Sequence, residues 1–224
     1  MQHLTLASPA GVFLSLDAVL ILLTAFACLG SKLFDRYLTY YGLQSVLLAA
    51  AAGTAALVTG DAALWVLAGL TLCLKGIAIP LAARRLLVRR LQLKRDAGVA
   101  LGLSTSLILG AGLCAFAYLV IGPQDLAHGL ISRSIIPLST AVLLLGALMM
   151  VVRRHMVAQL IGWLIMENGV FLGAITLTAS FPFIVEAGIF FDVIAGFLIM
   201  LAMTTGIAER ISASSLARPR REPS

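Results

Sequence analysis

The chain has 224 residues, 61% hydrophobic and 12% charged, with a mean hydropathy of +1.05. This excludes a soluble globular domain, because apolar runs of about 20 residues, enough to cross a ~30 Å hydrocarbon core, recur along the whole sequence. The net charge of +6 does not mark a nucleic-acid binder: the cations sit in loops beside helix ends, without the interleaved aromatics and polar donors such a site needs.

Seven spans follow in chain order, over residues 11–30, 39–59, 62–83, 98–122, 135–152, 155–178 and 183–206. They predict an all-α polytopic membrane protein with one transmembrane domain over 1–211. Met1 to Ala10 carries no Lys or Arg, so the first span reads as a retained helix and not as a cleaved signal peptide. Asp17, about two turns into it, is an outer-side relay point or a water-facing residue. Span three carries Lys75, 14 residues after the turn at Asp61. An ammonium at that depth pairs with an acid or snorkels to the inner face.

The next connection holds Arg84, Arg85, Arg89, Arg90, Lys94 and Arg95 among leucines, either as an amphipathic surface helix or as a basic loop. Arg153 and Arg154 lie between spans five and six. Residues 212–224, rich in Ser, Arg and Pro, are expected to be a disordered cytoplasmic tail. With the N-terminus outside, the cytoplasmic segments hold 14 of the 16 Lys and Arg, and the outer segments hold Arg133 alone. That asymmetry predicts an N-out, C-in topology. Cys28, Cys73 and Cys114 are isolated in apolar stretches and read as small buried hydrophobes, not as disulfides or metal ligands. A faint repeat pairs Gly42 and Gly69 with Gly162 and Gly188, at separations of 27 and 26 residues; glycine is also simply common in membrane helices.

Spans six and seven carry the most informative residues. A turn near Ser180 leaves Glu167 13 residues before it and Asp192 12 after it. Both acids therefore lie about 18–20 Å from the turn, at the same depth. An ionisable group there costs at least ~2.5–3.5 kcal/mol and usually marks an ion or proton path. The alternative is a neutral acid locked in a structural hydrogen bond, since burial favours the uncharged carboxyl. Asn168 can bond a carboxyl or a neighbouring helix. Gly169 permits close approach, and Gly169 with Gly173 forms a G-x-x-x-G pattern that ordinarily serves helix packing. Glu186, one turn into span seven, is a further outer-side candidate. His3, His128 and His155 all lie outside the apolar cores, which argues against haem ligation. No phosphate loop, nucleophile elbow or metal-ligand cluster occurs, so catalysis by this chain alone is not expected.

The segment Val152-Arg153-Arg154-His155 through Leu160-Ile161-Gly162-Trp163-Leu164-Ile165-Met166-Glu167-Asn168-Gly169 resembles component E of hydrogenase-4, and the likeness extends over most of the chain. Residues 135–206 are also similar to the K subunit of respiratory complex I and the C subunit of Mrp-type sodium/proton antiporters. The resemblance matches Arg153 and Arg154 to an arginine pair, Gly162 to a glycine, Asn168 to an asparagine, Asp192 to a second acid and Gly196 to a glycine after it. Leu164 occupies the place of the first acid, and Glu167 follows one turn later, near the same helix face.

The resemblance implies a non-catalytic membrane-arm subunit of a group 4 hydrogenase or formate hydrogenlyase-like complex in the inner (plasma) membrane of a prokaryote. Glu167, Asp192, Lys75, Glu186 and Asp17 would form its proton path. Iron–sulfur and nickel–iron centres would sit only in partner subunits, and antiporter-like membrane subunits and the lipid bilayer would be its neighbours. Two other readings stay open: an antiporter subunit without redox partners, and a scaffold with structural carboxylates.

Overall fold

The structure is a computed structural model and is described over residues 9–85, 101–121 and 135–177. The described residues fold into helices and short connections, with long apolar helices that suit a membrane. Six helices among the described residues are long and apolar enough to cross one: α1 Pro9–Gly30, α2 Phe34–Thr59, α3 Ala62–Ala83, α4 Leu103–Ile121, α5 Ile135–Val152 and α6 Met156–Leu177. The expected seventh span, with Glu186, Gly188, Asp192 and Gly196, lies outside the described residues. So do the tail and the basic positions from Arg89 to Arg95.

Helix ends follow local chemistry. Gly60 closes α2 with φ 71°, and its N–H donates to the Ala56 carbonyl at 2.9 Å; only a residue without Cβ adopts that left-handed conformation cheaply. Asp61 then caps α3 by accepting from the Ala63 N–H at 2.9 Å. The second helix starts at Phe34, about one turn before the expected residue 39, with Asp35 in its first turn. An acid there is favoured by the helix dipole, so the charges Asp35 and Arg36 did not end the helix as the hydropathy pattern suggested. The fourth begins at Leu103 and not at residue 98. Its first turn is tied by Ser106, whose N–H and hydroxyl both donate to the Gly102 carbonyl at 3.0 Å.

Helices α1, α2, α6 and α5 pack in a ring, each against the next. Helix α3 rests on α2 from outside, and α4 lies against α5 and α1. The burial matches this order: 67% of the α6 window is enclosed, against 28% for α3 and 17% for α4. Ile108 and Leu119 on α4 point away from the protein, as lipid-facing residues do in a helix apolar all round. Such a helix need not hide every apolar group. Cys28 is buried, but Cys73 is exposed and Cys114 half-buried, which corrects the expectation that all three are enclosed.

The closest approach is between α5 and α6. A Cβ added at Gly169 would lie 2.6 Å from the Leu143 nitrogen, and one at Gly162 would lie 3.0 Å from the Gly146 carbonyl oxygen. Gly146 faces the Met166 backbone with equally little room. These glycines let the two backbones touch, the packing meaning of the small-residue pattern. They also fix the rotation of α6, and with it the direction in which Glu167 and Asn168 point.

Candidate functional site

The third helix is not uniform. From Thr71 to Ala78 it winds as a π-helix, with Thr71 and Lys75 as its buried residues. Wide turns of this kind are rare and concentrate at functional sites. Here the flanking Leu72, Cys73 and Leu74 stay exposed, while the Lys75 side chain is 2% exposed. The lysine does not snorkel. Its Nζ lies 3.0 Å from Glu167 Oε1, and the glutamate side chain is 7% exposed. The ammonium also lies 5.6 Å from the centre of the Phe171 ring, in range of a cation–π contact. Lys75 and Glu167, expected at matching depth, are thus brought together by α3 and α6.

The pair continues into an amide chain. Lys75 Nζ donates to Asn168 Oδ1 at 3.4 Å, Asn168 Nδ2 donates to Gln44 Oε1 at 3.0 Å, and Gln44 Nε2 donates to the Ile21 carbonyl at 3.1 Å. Asn168 is fully enclosed and Gln44 is 1% exposed. Four helices, α3, α6, α2 and α1, therefore meet at one polar layer inside an apolar bundle. Gln44 was missed from sequence, although a long amide in the middle of the apolar run of span two is a usable signal.

Asp17 lies on α1 one turn from Ile21 and is 3% exposed. This rules out the water-facing alternative. Among the described residues its Oδ2 has no hydrogen-bond partner. No contact among the described residues joins it to the Lys75–Glu167 pair. Glu186 and Asp192 lie outside the described residues.

Arg153 requires a correction. It is not an open loop charge: it is 1% exposed, and its Nη2 donates to the carbonyls of Leu29 at 2.6 Å and Ser31 at 2.7 Å. The guanidinium lies 5.6 Å from the Tyr37 ring centre, and the Tyr37 hydroxyl donates to the same Ser31 carbonyl at 2.9 Å. The last carbonyls of a helix lack partners within it and carry partial negative charge, which an arginine satisfies. Gln159 Nε2 donates to the Arg153 carbonyl at 2.9 Å, tying the start of α6 to the same joint. Arg154 is exposed, as expected for a loop cation.

Two other features are peripheral. Arg84 Nε lies 2.6 Å from Asp35 Oδ1, about half-exposed on both sides, a pair worth at most about 1 kcal/mol. Between α2 and α3 runs an apolar groove of about 360 Å³ lined by Leu38, Gly42, Gly76, Pro80 and Arg84 among others, which contains none of the site's polar residues. Among the described residues, no group of three or more His, Cys, Asp or Glu gathers as metal ligands.

No family model matches the chain, and no solved structure matches it. It is similar to the uncharacterized protein Rv0085 of Mycobacterium tuberculosis (strain ATCC 25618 / H37Rv), with 30% identity over 140 residues. The match covers 62% of this chain and spans 63% of that protein's length.

Proposed function

We propose that the chain is a seven-span, N-out and C-in subunit of a prokaryotic inner-membrane complex, and that Lys75 and Glu167 form a proton-exchange centre within it. The observation that carries this reading is the enclosed ion pair at 3.0 Å. Charges are costly at membrane depth and seldom kept without use. In a low-dielectric site desolvation offsets much of the Coulomb attraction of such a pair, which favours proton exchange within it. A proton moving from the Lys75 ammonium to the Glu167 carboxylate leaves an amine and an acid. Release of the acid's proton onward leaves the pair with one net negative charge, and uptake of a proton by the amine restores the neutral pair, so the pair passes protons singly.

The resemblance to component E of hydrogenase-4 supplies the setting: a non-catalytic membrane arm of a hydrogenase-4 or formate hydrogenlyase-like oxidoreductase, with metal centres in partner subunits. Asp192 would be the next acid on the path, with Glu186 and Asp17 as outer-side relays. The experiment is proton translocation by the native complex with Glu167→Gln, read beside the amount of assembled complex. Reduced translocation at normal assembly supports the relay; normal translocation returns Glu167 to a structural role. Purification with identification of companion subunits separates an oxidoreductase from a cation/proton antiporter.

A further inference from the structure

The amide chain beside the ion pair has a fixed sense. The Ile21 carbonyl can only accept, so Gln44 must turn Nε2 towards it at 3.1 Å. That leaves Oε1 of Gln44 facing Asn168, which must answer with Nδ2 at 3.0 Å. Asn168 is then obliged to show Oδ1, an acceptor, to Lys75 at 3.4 Å. Flipping either amide would set donor against donor or acceptor against acceptor. The α1 backbone thereby dictates, through two enclosed amides, what the lysine meets: an oxygen that favours an ammonium. Successive bonds in a low-dielectric site polarise one another in the same direction.

We infer that Gln44, acting through Asn168, is a positioning residue that holds Lys75 in its protonated form opposite an ionised Glu167. The inference rests on the proton-exchange reading of the pair and adds how its resting charge state is set. The remaining enclosed charged residues of the described helices are Asp17 on α1 and Arg153 at the end of α5, so α2 and α4 bring no competing buried charge. Gln44 is itself uncharged and touches neither acid in the contacts above. In the contacts above, the route from Gln44 to Glu167 runs through Asn168 and Lys75.

The test uses the full-length protein in its native membranes and dicyclohexylcarbodiimide at neutral pH, a lipid-soluble reagent that adds to protonated carboxyls. Peptide mass spectrometry locates the label. In the wild-type protein Glu167 should label slowly. Lys75→Met should raise its labelling rate by about tenfold or more, because the acid loses its cationic neighbour. Gln44→Leu should raise it several-fold, and the length-preserving Gln44→Met should do the same if lost shape is not the cause. Adding Gln44→Leu to Lys75→Met should change nothing further, because the effect runs through the lysine. Fast labelling in Lys75→Met with wild-type labelling in both Gln44 variants would leave the ion pair standing and overturn the positioning role. An equal increment from Gln44→Leu with and without Lys75 would overturn it too, as a packing effect alone. Fast labelling of Glu167 in the wild-type protein would sink the ion-pair reading and this inference with it.

Discussion

Among the described residues two cations are buried, Lys75 and Arg153, and the partners seen for them differ. Lys75 meets a carboxylate and an amide near the middle of α3, whereas Arg153 meets backbone carbonyls where α1 ends. A guanidinium stays protonated under all ordinary conditions, and a carbonyl cannot take up a proton. The arginine joint is therefore fixed in charge and ties two helix pairs together. The lysine site has a titratable group on each side and can redistribute a proton without moving a backbone. Burial alone does not separate these roles; the chemistry of the partner does.

The largest effect on folding is expected at the arginine. Arg153→Leu leaves the Leu29 and Ser31 carbonyls without their charged donor, and bonds of that kind contribute about 1.5–3 kcal/mol each. Thermal unfolding in detergent should show a loss of a few kcal/mol, while carbodiimide labelling of Glu167 stays slow in the protein that remains folded. Fast labelling there would mean that the two regions are not independent.

Lys75→Met should come next in stability and first in function. Removing one partner of a buried pair costs about 3–5 kcal/mol if the other charge persists, but Glu167 can escape most of that by binding a proton. Assembly should then fall modestly and translocation severely. Equal losses in both would reduce the pair to a structural clamp. Lys75→Arg offers a sharper version: it keeps the charge and removes the ability to give up the proton. Translocation should fail with assembly nearly normal, and activity close to wild type would show that the lysine proton is not used.

The smallest effect is expected from Asp17→Asn. Asp17 stands one turn from Ile21 without a contact to the pair among the described residues, so translocation should fall less than in Glu167→Gln. A loss as large as that of Glu167→Gln would place Asp17 on the same obligatory path.

Much of this contrast was legible in the sequence. Depth counting set Lys75 and Glu167 level, because side chains a similar number of residues from a turn lie at similar heights. The glycine at 169 forecast close helix contact, whereas the similarly tight Gly162 was read only through the repeat and the resemblance. The turn at Gly60-Asp61 was marked by its own capping chemistry, so the third span began where expected. Gln44 stayed hidden because a search for charges passes over a neutral amide, although amides orient charges. Arg153 was read as a loop cation because residue type and position between spans do not reveal a carbonyl partner on α1, 122–124 residues away in the chain. The π-helical winding of Thr71–Ala78 left no local signature either: Thr71, Lys75 and Gly76 interrupt the apolar run without marking a wider turn, and the buried polar partner that stabilises Lys75 is supplied from α6.

Whether Lys75 and Glu167 act as one unit is tested most directly by a double-variant cycle on proton translocation in native membranes, with Lys75→Met, Glu167→Gln and the two combined. A single shared centre predicts that each variant alone interrupts translocation and that the combination loses little beyond the worse of them. Translocation at the wild-type rate in both single variants, or losses that simply add, would contradict a shared proton between these two side chains.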